Sequence, residues 1–216
     1  MIPEEILNDY EILEMYNKIE SGNDDVWRGK KHSFSVMRNC EKILKSLNCT
    51  DEEIFLGKIA SLLHDIGCVD GRQNHEEKSA IYARKYLENK DLTSNQIDVI
   101  VDAIKNHKDG NSINSNISAA LCFADKIDIC KDAVRNMDTT DSFVKNMLSI
   151  DKVTLEFEED KISVNYKVDE DFMPENVLNW DKAILIPRKI ANYLDKEICF
   201  KINDEEFKMY NEYKKL

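Results

Sequence analysis

Through its first 150 residues the chain repeats apolar positions with the period of a helix. Residues 3–20 form an amphipathic opening segment, followed by the polar loop Ser21-Gly22-Asn23-Asp24-Asp25 and then Trp27. A second helix is predicted from Ser33 to Leu47, burying Val36, Ile43, Leu44 and Leu47. The third has a defined start. Thr50-Asp51-Glu52-Glu53 is a capping box, in which the Thr hydroxyl and the Glu carboxylate satisfy reciprocal backbone donors. The helix runs through Ile59, Leu62 and Leu63 to His64-Asp65, with Gly67 as its predicted stop.

After a loop from Gly67 to Asn74, a helix is predicted over Glu76–Glu88. Thr93-Ser94-Asn95-Gln96 is a second capping box, and behind it Ile97, Ile100, Val101 and Ile104 follow the i, i+3, i+4, i+7 pattern. Asp109-Gly110-Asn111-Ser112 reads as a turn. Ile117, Ala120, Leu121 and Ala124 mark another buried stripe leading to Asp125, and further helical segments extend towards Ser149.

The period changes after Ile150. Val153, Leu155 and Phe157 alternate with polar residues, as do Ile162, Val164, Tyr166 and Val168, with Glu159-Asp160 between them. This is a β-hairpin pattern. A final helix is predicted over Val177–Cys199, broken if anywhere at Pro187, and the polar tail after it reads as helical or frayed. The expected fold is mainly α: a helical domain over 1–150, with a small C-terminal β-hairpin and terminal helix over 151–216 packed on the same domain.

Composition narrows the functional classes. The chain has 216 residues, 42% hydrophobic, with 6 Gly and 3 Pro, which suits a folded core rather than a disordered chain. No apolar run approaches the roughly 18 residues that span a bilayer, and the acidic, amphipathic N-terminus does not read as a signal peptide. A soluble cytoplasmic protein is expected, with no membrane partner. The net charge of −12 argues against a nucleic-acid polymer as partner, because phosphate neutralisation needs clustered Lys and Arg. A small phosphorylated substrate stays open, since metal ions inside a pocket can meet its charge. Six cysteines without a CxxC pair read as reduced, buried small hydrophobes, Cys68 lying nearest to His64-Asp65.

The candidate chemistry lies in the histidines. There are four, His32, His64, His75 and His107, each at or near a predicted helix end. One such histidine alone is usually a surface or capping residue, but helix ends in a bundle can converge on one metal site. His64-Asp65 sets an imidazole beside a carboxylate where the backbone leaves the helix. Asp125 lies on the apolar edge of its helix, a costly place for a carboxylate unless Lys, Arg or a metal pairs with it.

His32, then His64-Asp65, then Asp125 resemble the H…HD…D signature of the HD superfamily, metal-dependent phosphohydrolases with a helical core. The segments KHSFSVMRNCEKIL, KIASLLHDIG and ISAALCFADKIDI are similar to the corresponding family segments, over roughly residues 28–130. The resemblance implies that His32, His64, Asp65 and Asp125 hold one divalent ion. It also implies that His75 and His107 hold a second, with Asp65 bridging and serving as the catalytic aspartate. Such ligands suit Fe, Mn, Zn or Ni. Water activated by two ions is the expected nucleophile. Lys126, beside Asp125, is the expected catalytic cation, and Lys31, Arg72 and Lys108 are candidates for substrate phosphate.

The stretch Lys108-Asp109-Gly110-Asn111 after His107 lacks the Gly-Tyr-Pro element of the family's cyclic-dinucleotide phosphodiesterases, which argues against that substrate. Two other classes share the ligand set: an HD-type di-iron oxygenase, and a non-catalytic metal- or nucleotide-binding regulator. The hairpin would cap the pocket, complete the fold or form a homodimer surface.

Overall fold

The computed structural model describes residues 2–22, 29–135 and 140–213. The sequence expectations for residues 23–28, Trp27 among them, and for the end of the tail lie outside the described residues. The chain forms two compact units, Met1–Asp125 and Lys126–Leu216.

The first unit is helical. A short 3-10 turn, Pro3–Asn8, leads into α1 (Tyr10–Ser21), α2 (Lys30–Ser46) and α3 (Asp51–Leu63). A second 3-10 segment, Ile66–Asp70, precedes α4 (His75–Leu87), α5 (Ser94–Lys105) and α6 (Asn116–Ile127). α2 packs on α3, α3 on α5, and α4 on both α5 and the Ile66–Asp70 segment. Val36, Cys40, Ile43 and Leu44 of α2 are buried, as are Ile59, Ala60, Leu62 and Leu63 of α3. The two helices approach closely at Gly57, where a Cβ would fall 2.4 Å from Leu44 Cδ1.

Both capping boxes form. Glu53 N donates to Thr50 Oγ1 while Thr50 N donates to Glu53 Oε2, and Thr93 and Gln96 repeat the exchange. Two helix ends are closed by left-handed Asn48 and Asp195 where glycine is the usual residue. At the end of α2, Asn48 (φ 53°) lets Cys49 N reach Leu44 O and its own N reach Lys45 O, a Schellman closure. Gly67 does not stop α3; it lies inside the following 3-10 segment.

The second unit holds α7 (Ser142–Leu148), β1 (Ile150–Phe157), β2 (Lys161–Val168), α8 (Pro174–Leu178), α9 (Lys182–Tyr193), β3 (Glu197–Ile202), β4 (Glu205–Glu206) and α10 (Lys208–Glu212). The strands form one sheet in the order β1-β2-β3-β4. β1 and β2 are the expected antiparallel hairpin, with Phe157 opposite Ile162. α7 and the short Lys131–Ala133 turn pack on β1, so the compact division falls earlier than the change of period at Ile150.

The single helix expected over Val177–Cys199 is three elements. α8 ends by Asn179, and α9 continues through Pro187 and stops at Asp195 (φ 54°), where a second Schellman closure joins Lys196 N to Ala191 O. Residues 197–202 then leave the helix for β3, pairing parallel with β2 through Cys199↔Ser163 and Phe200↔Val164. β-Branched and aromatic residues in Glu-Ile-Cys-Phe-Lys-Ile favour a strand once an edge of β2 is open to them. Asn203 and Asp204, both at positive φ, make the two-residue turn into β4. The fold is mainly α with a small C-terminal sheet, as expected, though with four strands rather than two.

Candidate metal centre

Helix ends deliver the four histidines and two aspartates to one place in the first unit. His32 lies in the first turn of α2, His64 caps the C-terminus of α3, and His75 opens α4. His107 follows the C-cap of α5, and Asp125 lies in the last turn of α6. Asp65 leaves the helical path (φ −112°, ψ 3°), so that it and His64 both turn inward. All six are buried.

The geometry is organised around Asp65. Its Oδ2 lies 3.3 Å from His64 Nε2 and 3.7 Å from His32 Nε2. Its Oδ1 faces the other way, 3.4 Å from His75 Nε2 and 3.9 Å from His107 Nε2. Asp125 Oδ1 closes the first group, 3.2 Å from His32 Nε2 and 3.7 Å from His64 Nε2. The imidazoles run in a row: ring centroids are 5.3 Å apart for His32 and His64, 5.0 Å for His64 and His107, and 5.3 Å for His107 and His75.

Three of the rings are held from behind in the same way. His64 Nδ1 meets Ser61 O at 2.7 Å, His75 Nδ1 meets Arg72 O at 3.1 Å, and His107 Nδ1 meets Ile104 O at 2.5 Å. A carbonyl only accepts, so each Nδ1 must carry the proton and each Nε2 presents a lone pair to the cluster. Burial pulls the His64 pKa down, but the carboxylates of Asp65 and Asp125 outweigh it and the net shift is upward.

These residues fit divalent ions. Nε2 of fully buried His64 faces two carboxylate oxygens without hydrogen-bond geometry to either, the arrangement left when a cation is the intended partner. Two ligand groups have their donor atoms within 4.8 Å of one another: His32, His64 and Asp125, and His64, Asp65 and His107. The family model for the HD domain matches residues 30–141, just over half the chain.

The chain belongs to the HD domain family.

Among curated proteins, this HD chain is 25% identical to Ribonuclease Y of Wolinella succinogenes over 158 residues, which cover 68% of this chain but 28% of that protein. The chain thus spans little more than a quarter of that relative's length. Among solved structures, a predicted HD superfamily hydrolase from an uncultured Thermotogales bacterium is 26% identical, with a TM-score of 0.47 and coverage of 57% of this chain and 69% of that one.

The cations named from sequence fall in different settings. Lys31 is exposed beside His32, and Arg72 is exposed while its carbonyl serves His75. Lys108 is paired with Glu76, and Lys126 follows Asp125 on α6 and is buried. No helix among the described residues is long and apolar enough to cross a membrane.

Two residues behind the site escaped sequence reasoning. Tyr16, fully buried on α1, hydrogen-bonds Ser33 Oγ at 2.7 Å and donates to Leu62 O at 2.9 Å, tying the neighbours of His32 and His64 together. Glu76 lies between His75 and Lys108; burial pushes its pKa up, but the bond from Lys108, its backbone hydrogen bond and the charges of His75 and Lys108 together hold it below the ordinary glutamate value. In sequence each is one polar residue on a helix, with no pattern to mark it.

Proposed function

We propose that this chain is a metal-dependent phosphohydrolase that cleaves a phosphate ester or phosphoanhydride of a small phosphorylated metabolite or nucleotide. The observation that supports it best is the division of Asp65, with one carboxylate oxygen towards His32 and His64 and the other towards His75 and His107. Such a carboxylate is built to be shared by two ions. On this reading His32, His64, Asp65 and Asp125 hold one, and His75, His107 and Asp65 hold the other. Two bound ions would lower the pKa of a water between them and clamp phosphoryl oxygens.

The protein's own residues supply the rest. His64, His75 and His107 keep their lone pairs inward through fixed main-chain bonds, so no reorganisation is needed on binding. Asp65 and Asp125 supply negative charge in a buried place where bulk water does not screen it. Lys31 and Arg72, exposed next to or near ligands, are the proposed contacts for substrate phosphate. Lys126 is the proposed cation beside Asp125.

Metal analysis of protein purified without chelator should find close to two ions per chain. The metal-loaded protein should release phosphate or a mononucleotide from a panel of nucleotides, sugar phosphates, dinucleoside polyphosphates and a short RNA. Activity on RNA alone would align it with its ribonuclease relative instead of a small-metabolite enzyme. A reconstituted protein that leaves the whole panel intact overturns the hydrolase assignment. Oxygen consumption by the reduced iron form, without hydrolysis, replaces it with the oxygenase.

A further inference from the structure

The histidine pair at one end of the cluster has an acidic neighbour that is not itself in the cluster. Glu76 follows His75 at the start of α4, and Lys108 follows His107 beyond the end of α5. Glu76 Oε1 accepts from Lys108 Nζ at 2.5 Å, while Oε2 lies 3.3 Å from His75 Nδ1. The same Nδ1 donates to the Arg72 carbonyl at 3.1 Å, and the Glu76 oxygen stands beside that N–H as a charged neighbour without hydrogen-bond geometry to it. The Glu76 side chain is 13% exposed against 46% for Lys108, so the carboxylate is the sheltered member of the pair.

We propose that Glu76, oriented by Lys108, is a positioning residue that strengthens His75 as a ligand and thereby sets the affinity of the His75–His107 half for its ion. The inference rests on the two-ion reading of the site. A carboxylate on the N–H side of an imidazole fixes the ring plane and raises the basicity of the far nitrogen; losing such a partner costs about 10–100-fold in metal affinity. The Arg72 carbonyl fixes the His75 ring, as the Ser61 carbonyl does for His64, but carries no charge; the Glu76 carboxylate adds the charge that His64 lacks on that side. The ion pair as a clamp contributes little by itself, because solvent and salt screen a pair whose lysine is half exposed. The carboxylate against His75 is therefore the effective element. The lysine beside His107 serves to hold it there, a different role from the phosphate contact expected from sequence.

The test is a calorimetric titration of metal-free protein with Mn²⁺ alone. Wild type should fill two sites, and His75→Ala should remove the step that belongs to the His75–His107 half. Glu76→Gln, nearly isosteric, should weaken that same step by about 10–100-fold and leave the other unchanged, with the melting curve of the metal-free protein unaltered. Lys108→Met, which keeps the carboxylate, should weaken it less. The double reversal Glu76→Lys with Lys108→Glu restores an ion pair without a carboxylate at position 76, and should stay weak. Recovery in the double reversal, or two unchanged steps in Glu76→Gln, overturns the proposal. A wild type with a single step that His75→Ala does not alter overturns the two-ion reading itself, and the role of Glu76 with it.

Discussion

Gly67 donates its amide to Ser79 Oγ at 2.9 Å, and a Cβ on Gly67 would come within 2.4 Å of the Ser79 backbone nitrogen. It would also meet His75 O at 2.6 Å. This contact seats the segment after Asp65 on the first turns of α4, and so fixes how far Asp65 stands from His75. Gly67→Ala should destabilise the fold by about 1–3 kcal/mol, the usual cost of forcing atoms into a packed interior. Because the backbone itself must move, it should also lower metal content at the His75 end. Urea unfolding and metal analysis of the same preparation check both.

Ser79→Ala tests the other side of that contact. It creates little empty space but leaves the buried Gly67 N–H without its acceptor, for an expected loss of about 1–3 kcal/mol. An unchanged urea midpoint would refute it.

Tyr16→Phe should keep the ring in place and remove both hydrogen bonds of its hydroxyl, to Ser33 and to Leu62. With buried polar partners left behind, the expected loss is about 1–3 kcal/mol, read from urea unfolding by circular dichroism. The tyrosine comes from α1, before the matched family region begins.

Asp9 gives a pH signature. Its carboxylate accepts from Lys90 at 2.7 Å and from the Tyr86 hydroxyl at 3.1 Å, and it caps α1. The bond from Lys90 holds its pKa below the ordinary 3.8 despite partial burial. A carboxylate with a depressed folded-state pKa stabilises the fold fully above its unfolded value, and that contribution is lost as pH falls through the folded value. Asp9→Asn, which can still cap the helix, should therefore melt lower than wild type at neutral pH. The gap should close as the pH drops below about 4. Melting curves across that range check the direction.

Metal stoichiometry distinguishes the ligands. His75→Ala should lose one ion and keep the other, whereas Asp65→Ala should lose both, since its two oxygens serve both groups. Elemental analysis after desalting reads the difference, and equal losses in the two variants would refute the division.

Much of the first unit was legible because its signals are local. The Thr50 and Thr93 boxes fix helix starts within four residues of sequence, and the apolar stripe behind Thr93 fixes a buried face. The helix ends were less legible because Asn48 and Asp195 occupy left-handed positions where glycine gives the usual cue. The local pattern continues a helix through residues 197–199 because the open edge of β2 that recruits them lies some 35 residues away in sequence. The gathering of the four histidines is implied by the resemblance to the H…HD…D signature, with their helix-end positions compatible with it. Glu76 and Tyr16 act through contacts made only after folding, across 32 residues to Lys108 and 46 to Leu62.

The shared position of Asp65 also bears on how such a site can change over evolutionary time. On the two-ion proposal, a lineage drifting towards a single ion has an open route through His75, which faces only one oxygen of Asp65. No such route runs through Asp65, where on that proposal one substitution would disable both ends at once. The residue with the most geometric commitments is thus the last that selection can release while any metal chemistry is retained.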